Sequence, residues 1–489
     1  MFQTGNLFPE NLLGGLWDVS LAIFLVLVQV AGLVLAARVV LGDRSTQGTI
    51  AWVLSLVLLP LLAVPAYALL GRNRFHSYVR ARRRIDEQFE LHYAPPAEHP
   101  QGTVPPGEQA YDKWKILESL TKLPLSRGNA LTYHFSGPET FDSIAAGLES
   151  ARQYILFQFF IFRDDAVGKR FVDILKRKAR EGVRVHFLVD AIGCRKLKAA
   201  FFRDLEAAGI ETAVFLPGRT IRGRLRLNFR NHRKTVIVDG REAWIGGNNI
   251  GTEYTGNHPR FGPWRDTHVR VRGPVVNAIQ LAFLEDWYWV TRDLPELDWK
   301  AARPQAQDAR ALCLATGPAD PADNCILAYV HMINQARERL WIHTPYFVPS
   351  EEIIVALQLA TLRGVDVRVL LPQGFDKWIV WISSFYFRSL PQLREVRFFR
   401  YKKGFFHSKM LLVDNELVSV GTVNFDNRSF RINFEITLIL DDNRLVSECR
   451  DQMEKDFSEA VEDPDDPLAS KGFLFRLAAR SLRLLSPLL

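Results

Sequence analysis

The stretch His232-Arg233-Lys234-Thr235-Val236-Ile237-Val238-Asp239, followed by Gly246-Gly247-Asn248-Asn249, is written a second time as His407-Ser408-Lys409-Met410-Leu411-Leu412-Val413-Asp414, followed by Gly421-Thr422-Val423-Asn424. Both copies read H-x-K-x4-D-x6-G-(G/T)-x-N. Each also sits at the same place in a longer repeat: residues 154–160 echo 340–346, 180–190 echo 362–372, and 201–205 echo 386–390. A chain written twice folds as two like units.

The local reading is strand, helix, strand, helix, strand. Val183-Arg184-Val185-His186-Phe187-Leu188-Val189 suits a buried strand, and residues 168–181 are amphipathic with helical spacing. Alternating strands and helices argue for an α/β fold with a mixed sheet flanked by helices. Each motif is expected to span a strand that its histidine opens, with 235–238 and 410–413 buried. The period of two then puts His and Lys on one face.

Transfer of a phosphodiester needs a nucleophile, an acid for the leaving alcohol, and cations around the phosphoryl oxygens. Histidine serves either of the first two because its pKa lies near 7. The two copies supply His232 and His407, Lys234 and Lys409, and Asn249 and Asn424 as hydrogen-bond donors. That set is complete without a metal or a cofactor. Asp239 and Asp414 are counted with it, although their strand-end position suits a structural role equally well. Two further acids recur downstream: Asp266 in Trp264-Arg265-Asp266-Thr267-His268, and Glu435 in Asn433-Phe434-Glu435. A carboxylate on one imidazole nitrogen would fix the tautomer and free the other nitrogen. The bland alternative is a pair of surface acids.

Hydrophobic residues make up 48% and charged residues 24% of the 489, which excludes global disorder. The net charge of +8 points to an anionic partner, nucleic acid or acidic lipid. Cys194, Cys313, Cys325 and Cys449 have neither C-x-x-C nor zinc spacing, so four buried free thiols in a reducing compartment are expected.

Residues 19–37 and 49–70 are two charge-free runs, each long enough to cross a bilayer as a helix. Pro60 and Pro65 interrupt the second, which membrane helices tolerate. No Lys or Arg precedes the first run, so a secretory signal fits poorly. The link carries Arg38, Asp43 and Arg44; after the second run come Arg72, Arg74, Arg80, Arg82, Arg83 and Arg84. The denser cluster places the large carboxy-terminal part, and with two spans the amino terminus, on the cytoplasmic side. The expected division is a two-helix transmembrane hairpin with its basic segment over 1–84, a Pro-rich linker over 85–129, repeat units over 130–305 and 306–470, and a tail over 471–489.

These motifs resemble the phospholipase D superfamily, in which paired H-x-K-x4-D copies form one site at a pseudo-twofold interface. More narrowly, the chain resembles the bacterial cardiolipin synthases. The resemblance covers nearly its whole length: the two spans ending in Leu69-Leu70-Gly71-Arg72-Asn73-Arg74, then Asn228-Phe229-Arg230-Asn231-His232-Arg233-Lys234, Trp264-Arg265-Asp266-Thr267-His268, Thr344-Pro345-Tyr346-Phe347-Val348-Pro349 and Asn424-Phe425-Asp426-Asn427-Arg428-Ser429-Phe430. Thr252 departs from it where an acid is expected. The resemblance implies two phospholipase D-type domains in the inner membrane of a bacterium. It also implies phosphatidyl transfer between two phosphatidylglycerol molecules to give cardiolipin and glycerol, through a phosphatidyl-histidine. By the same analogy His232 is the nucleophile and His407 the acid and then the base. Alternatives are hydrolysis of phosphatidyl headgroups and a synthase using phosphatidylethanolamine as co-substrate. A tethered nuclease fits the spanning hairpin poorly, so nucleic acid is not expected as a partner.

Three features face lipid on this reading. Arg222, Arg224, Arg226, Arg230 and Arg233 crowd the approach to His232 and could gather anionic headgroups, as could Tyr346. The aromatic run 377–387 suits either a membrane interface or a core helix. Arg476, Arg480 and Arg483 share one helical face in the tail, away from Leu474, Leu477 and Leu485, a pattern fit for an anionic bilayer or for packing on the body. The oligomeric state is not legible.

Overall fold

The computed structural model describes residues 10–42, 46–71, 78, 111–216, 229–300, 307–320 and 322–489. Arg44, Arg222, Arg224, Arg226 and most of the basic cluster and Pro-rich linker expected above lie outside them. The chain divides into two compact units, one holding the amino-terminal apolar helices and one the repeat.

In the first unit, helix Glu10–Val40 contains a 23-residue stretch, Asp18–Val40, long and apolar enough to cross a membrane. The second apolar run is two shorter helices, Thr46–Leu58 and Pro60–Leu70, because Pro60 starts a new helix at its first turn. The long helix packs on both through Ala36, Val39, Leu56 and Ala63, and Gln29 donates to the carbonyl of Val57 at 3.2 Å. Gly32 permits the approach: a Cβ there would lie 2.4 Å from the Leu56 carbonyl oxygen.

The second unit holds two sheets with one strand order. In the first, Glu211–Phe215, Arg184–Asp190 and Tyr154–Phe159 run parallel, followed antiparallel by Thr235–Val238, Glu242–Gly246, Trp264–Arg272 and Ser126–Ser136. In the second, Arg397–Tyr401, Asp366–Pro372 and Arg339–His343 run parallel, followed antiparallel by Met410–Val413, Leu417–Gly421, Asn433–Asp441 and Ala309–Thr316. Strand Ser126–Ser136 also pairs with Ala309–Thr316, so it joins the sheets. The innermost strands are buried on both faces, which is why they read as unbroken apolar runs. Helix Ala166–Arg180 starts where Asp165 accepts from the amides of Val167 and Gly168, and it buries Phe171, Val172, Ile174 and Leu175. All four cysteines are free and buried.

One expectation needs correcting. The Pro-rich linker does not run to 129: Tyr111–Thr121 is a helix whose Trp114 and Leu117 are fully buried in the core of the second sheet. The Pro-rich signal stops at Gly107, and the apolar pair at i, i+3 was the cue. The boundary at 130 accordingly falls inside strand Ser126–Ser136. In the tail, helix Phe473–Leu482 packs on helix Trp378–Arg388, with the Phe475 ring 5.1 Å from Phe385 and Arg483 bonded to the Tyr386 hydroxyl. Leu474, Leu477 and Leu484 remain exposed.

Trp114→Ala should lower stability by about 3–5 kcal/mol, the cost of emptying a buried aromatic site. Thermal unfolding of the detergent-purified protein measures it. An unchanged midpoint would mean that helix Tyr111–Thr121 is not part of the folded body.

Candidate active site

The histidines do not open the long strands. Each lies in an irregular link between a two-residue strand and the buried one. Arg230–Asn231 pairs in parallel with Asn433 and Phe434 of the second half, and the His232 amide donates to the Phe434 carbonyl at 2.9 Å. Phe405–Phe406 pairs in parallel with Trp264 and Arg265 of the first half, and the His407 amide donates to the Arg265 carbonyl at 2.8 Å. Each motif is thus stitched to the other repeat just before its histidine.

The acids complete the exchange. Glu435 Oε2, from the second half, lies 2.8 Å from Nδ1 of His232 in the first. Asp266 Oδ2, from the first half, lies 2.7 Å from Nδ1 of His407 in the second. With Nδ1–H donating to a carboxylate, Nε2 of each ring is left for chemistry, that of His407 with Lys409 Nζ 3.3 Å away. Both carboxylates are fully buried and otherwise held. Glu435 accepts from Thr422 Oγ1 at 2.5 Å and Asn433 Nδ2 at 3.1 Å, and Asp266 accepts from the Thr267 amide at 2.8 Å. Thr422 and Gly247 hold the same motif position. Gly247 is required because a Cβ there would meet Asp266 Oδ1 at 2.0 Å, whereas Thr422 fills the space beside Glu435.

Lys234 Nζ donates to the His232 carbonyl at 2.6 Å and faces the Phe160 ring at 5.4 Å; Lys409 bonds the His407 carbonyl. Phe160 also meets the His232 ring edge-on at 5.0 Å, and Trp264 lies 5.2 Å from the His407 ring. So His232, Lys234, His407, Lys409, Asp266 and Glu435 form one buried centre.

Burial sets its charge state. It drives His232 well below the usual imidazole range, with Lys234, Lys409, Lys377 and His407 adding to the shift. Burial and Lys409 bring His407 down to about 4, against the pull of Asp266. Burial lowers Lys234 to about 7 and Lys409 to about 8. The acids differ: burial pushes Glu435 up to about 7, but in Asp266 that push is overcome by Lys409 and His407, which hold it below the ordinary range.

Other expected residues lie elsewhere. Asp239 and Asp414 end their strands with φ of 52° each, away from the histidines. The Asp239 carboxylate accepts from the amides of Arg152, Gln153 and Tyr154, and that of Asp414 from Arg337, Glu338 and Arg339. They anchor the start of the neighbouring strand, a job for a residue that tolerates left-handed backbone and accepts several N–H groups. Arg233 is buried, ion-paired to Asp286 at 3.0 Å and bonded to the carbonyls of Ala282 and Glu435, so it supports the motif from beneath instead of meeting a headgroup. Arg230 is half-buried and lowered to about 10 by burial and then by Arg428. Asn249 accepts from the Ile161 amide and donates to the Tyr254 hydroxyl, bracing the motif's tail. Asn424 is buried with its Oδ1 unbonded among the described residues. Tyr346 is buried beside His407, its hydroxyl donating to Asp376. Sequence reasoning missed the polar bed beneath His232. There Asp286 accepts from Gln158 Nε2, Asn231 Nδ2 and Tyr78 Oη within 2.7 Å, and Asp286 itself falls in no motif.

Comparisons with known proteins place the chain in a family. A family model described as "Cardiolipin synthase, PLD-like domain" matches residues 144–258 and 329–457, and one described as "Phospholipase_D-nuclease N-terminal" matches 30–72. Cardiolipin synthase A of Pseudomonas putida is 40% identical over 470 residues, covering 95% of this chain and 97% of its own. Cardiolipin synthase A of Pseudomonas aeruginosa strain LESB58 is 42% identical over 477 residues, covering 96% of each. The crystal structure of phosphatidylserine synthase from Haemophilus influenzae Rd KW20 shares the fold, with TM-score 0.60 at 13% identity over 77% of this chain and 100% of that one.

Asp266→Asn and Glu435→Gln should each lower kcat roughly a thousandfold or more with little change in stability, the scale set by losing the carboxylate behind a catalytic histidine. Asp239→Ala should instead cost on the order of 3 kcal/mol of stability, since three amides, that of Tyr154 buried, lose their acceptor. Paired turnover and unfolding measurements separate the two groups. The pH profile follows from the lysines. Lys234 and Lys409 lose charge as pH rises through about 7 and 8 in the free protein. So kcat/KM should fall on that limb, while the kcat limb sits higher because bound phosphate favours the charged lysines.

Proposed function

The chain belongs to the bacterial cardiolipin synthase family of the phospholipase D superfamily and is a phosphatidyltransferase, and from that premise we propose how its centre works on lipid. The substrate is phosphatidylglycerol in both roles. His232 Nε2 attacks the phosphorus of the first molecule. His407 is neutral in the free protein but is protonated against Asp266 once the phosphate anion is bound, and it gives its Nε2 proton to the departing glycerol oxygen, leaving a phosphatidyl group on His232. His407, now neutral, takes the proton from a glycerol hydroxyl of the second phosphatidylglycerol as that oxygen attacks the same phosphorus. Cardiolipin forms, and the His232 nitrogen leaves with its bonding pair.

The two acids support this assignment. Asp266 is held ionised and can stabilise the imidazolium that a proton donor must carry. Glu435, pushed up to about 7, is a weaker counter-charge, which suits a ring that attacks while neutral. Lys234 and Lys409 take the non-bridging oxygens, where developing charge is greatest. Arg230 serves as a further cation for the anionic headgroup. The single observation that carries the reading is the crossed pairing of the two histidines with acids of opposite halves. It makes a one-phosphate centre from two motifs and supports a pseudo-twofold relation between them.

The setting is the bacterial cytoplasmic membrane. The stretch Asp18–Val40 and the helices Thr46–Leu58 and Pro60–Leu70 form two spans, with the arginines that follow on the cytoplasmic side beside anionic lipid.

The test is product analysis with phosphatidylglycerol as the only lipid. Cardiolipin and glycerol in equal amounts are expected. Phosphatidic acid as the main product would mean that water, not lipid, is the acceptor.

A further inference from the structure

Beside the centre lies a cleft lined by Tyr346, by Phe375, Asp376 and Lys377, and by Val380, Trp381, Ser384 and Arg388 along helix Trp378–Arg388. The Asp376 carboxylate accepts the Tyr346 hydroxyl. The Lys377 ammonium sits 4.8 Å from the centre of the Tyr346 ring, and that ring meets the His407 ring nearly perpendicularly at 6.4 Å. A short path therefore runs from a catalytic imidazole to an acid–base pair that takes no part in the crossed bonds. Charge marks the same proximity. Lys377 contributes to the lowering of His232, Lys234 and Lys409, and Asp376 acts on His407 and Lys409 in the opposite sense.

Joining two phospholipids imposes a requirement that hydrolysis does not. The attacking hydroxyl sits on a glycerol whose other end carries a second phosphate, so two anionic phosphates come within one glycerol length of each other. On the reading given above, Lys234 and Lys409, held against the His232 and His407 carbonyls, serve the first. The second needs its own cation, and the glycerol between them needs an acceptor to orient its hydroxyls. The rim meets both needs. Lys377 is exposed and Asp376 is half-buried, so both can reach a ligand. Phe375 and Trp378 flank them with 41% and 55% of their surface exposed, an aromatic edge suited to the headgroup layer that holds such a lipid.

We propose that Lys377 and Asp376 form the headgroup subsite of the acceptor lipid, Lys377 holding its phosphate and Asp376 a hydroxyl of its glycerol. This deepens the reading given above and rests on the covalent phosphatidyl-enzyme there. It makes the pair the selector of lipid alcohol over water.

Two rates on the full chain in mixed micelles test it. One is cardiolipin formation from phosphatidylglycerol. The other is exchange of labelled free glycerol into phosphatidylglycerol, which passes through the same phosphatidyl-enzyme but brings no second phosphate. Lys377→Ala should reduce cardiolipin formation at least tenfold more than exchange, and Lys377→Arg should restore most of the difference. Asp376→Asn should shift products from cardiolipin toward phosphatidic acid. If Lys377→Ala slows both rates by one factor, or slows neither, the subsite is overturned. If the unaltered protein makes cardiolipin without glycerol exchange, the covalent reading fails first and the subsite falls with it.

Discussion

Two hydrogen bonds organise the molecule, Glu435 to His232 and Asp266 to His407, and each joins one repeat to the other. Neither half owns a complete working histidine. A free copy of either repeat would carry an imidazole without its acid and an acid without its imidazole. The short parallel pairings of Arg230–Asn231 with Asn433 and Phe434, and of Phe405–Phe406 with Trp264 and Arg265, set the backbone so that these bonds can form. Strand Ser126–Ser136, paired with both sheets, holds the halves in one body. The duplication thus brings the two H-x-K motifs into one buried centre.

Crowding two lysines, two histidines and two carboxylates into a buried space is costly without a ligand. Desolvation disfavours every charged form there, which is why the lysines fall toward 7 and 8 and Glu435 rises to about 7. A phosphodiester anion relieves that imbalance by supplying the negative charge around which the lysines can stay protonated. Substrate binding and the catalytic charge state are therefore coupled. On the proposed mechanism the unequal acids divide the labour, the ionised Asp266 supporting a proton donor and the less ionised Glu435 leaving its partner neutral.

Much of this was legible in the sequence because the repeat made it so. Paired H-x-K motifs pointed to the α/β fold and to the histidines and lysines that the structure brings together, and the downstream acids stood out by recurring. What the sequence could not tell was which acid serves which ring. The crossing depends on how two units pack, and no local pattern encodes it. Asp239 and Asp414 stayed open in the sequence for a related reason: a fixed position in a motif does not distinguish a carboxylate that meets substrate from one that caps three amides. Arg233 was read as a surface cation from its neighbours in the chain, yet its partner Asp286 lies on a distant helix. Helix Tyr111–Thr121 was hidden by the prolines before it.

The central claim, that the crossed acids assign different roles to the two histidines, is tested most directly by rapid-quench mass spectrometry of the Asp266→Asn protein. The donor should be a phosphatidyl ester whose leaving group needs no proton. His232 keeps its partner in this protein while His407 loses its own. The phosphatidyl adduct should therefore form on His232 and accumulate, and Glu435→Gln should form little of it. An adduct on His407, or one that builds up in Glu435→Gln and is missing in Asp266→Asn, would contradict the account.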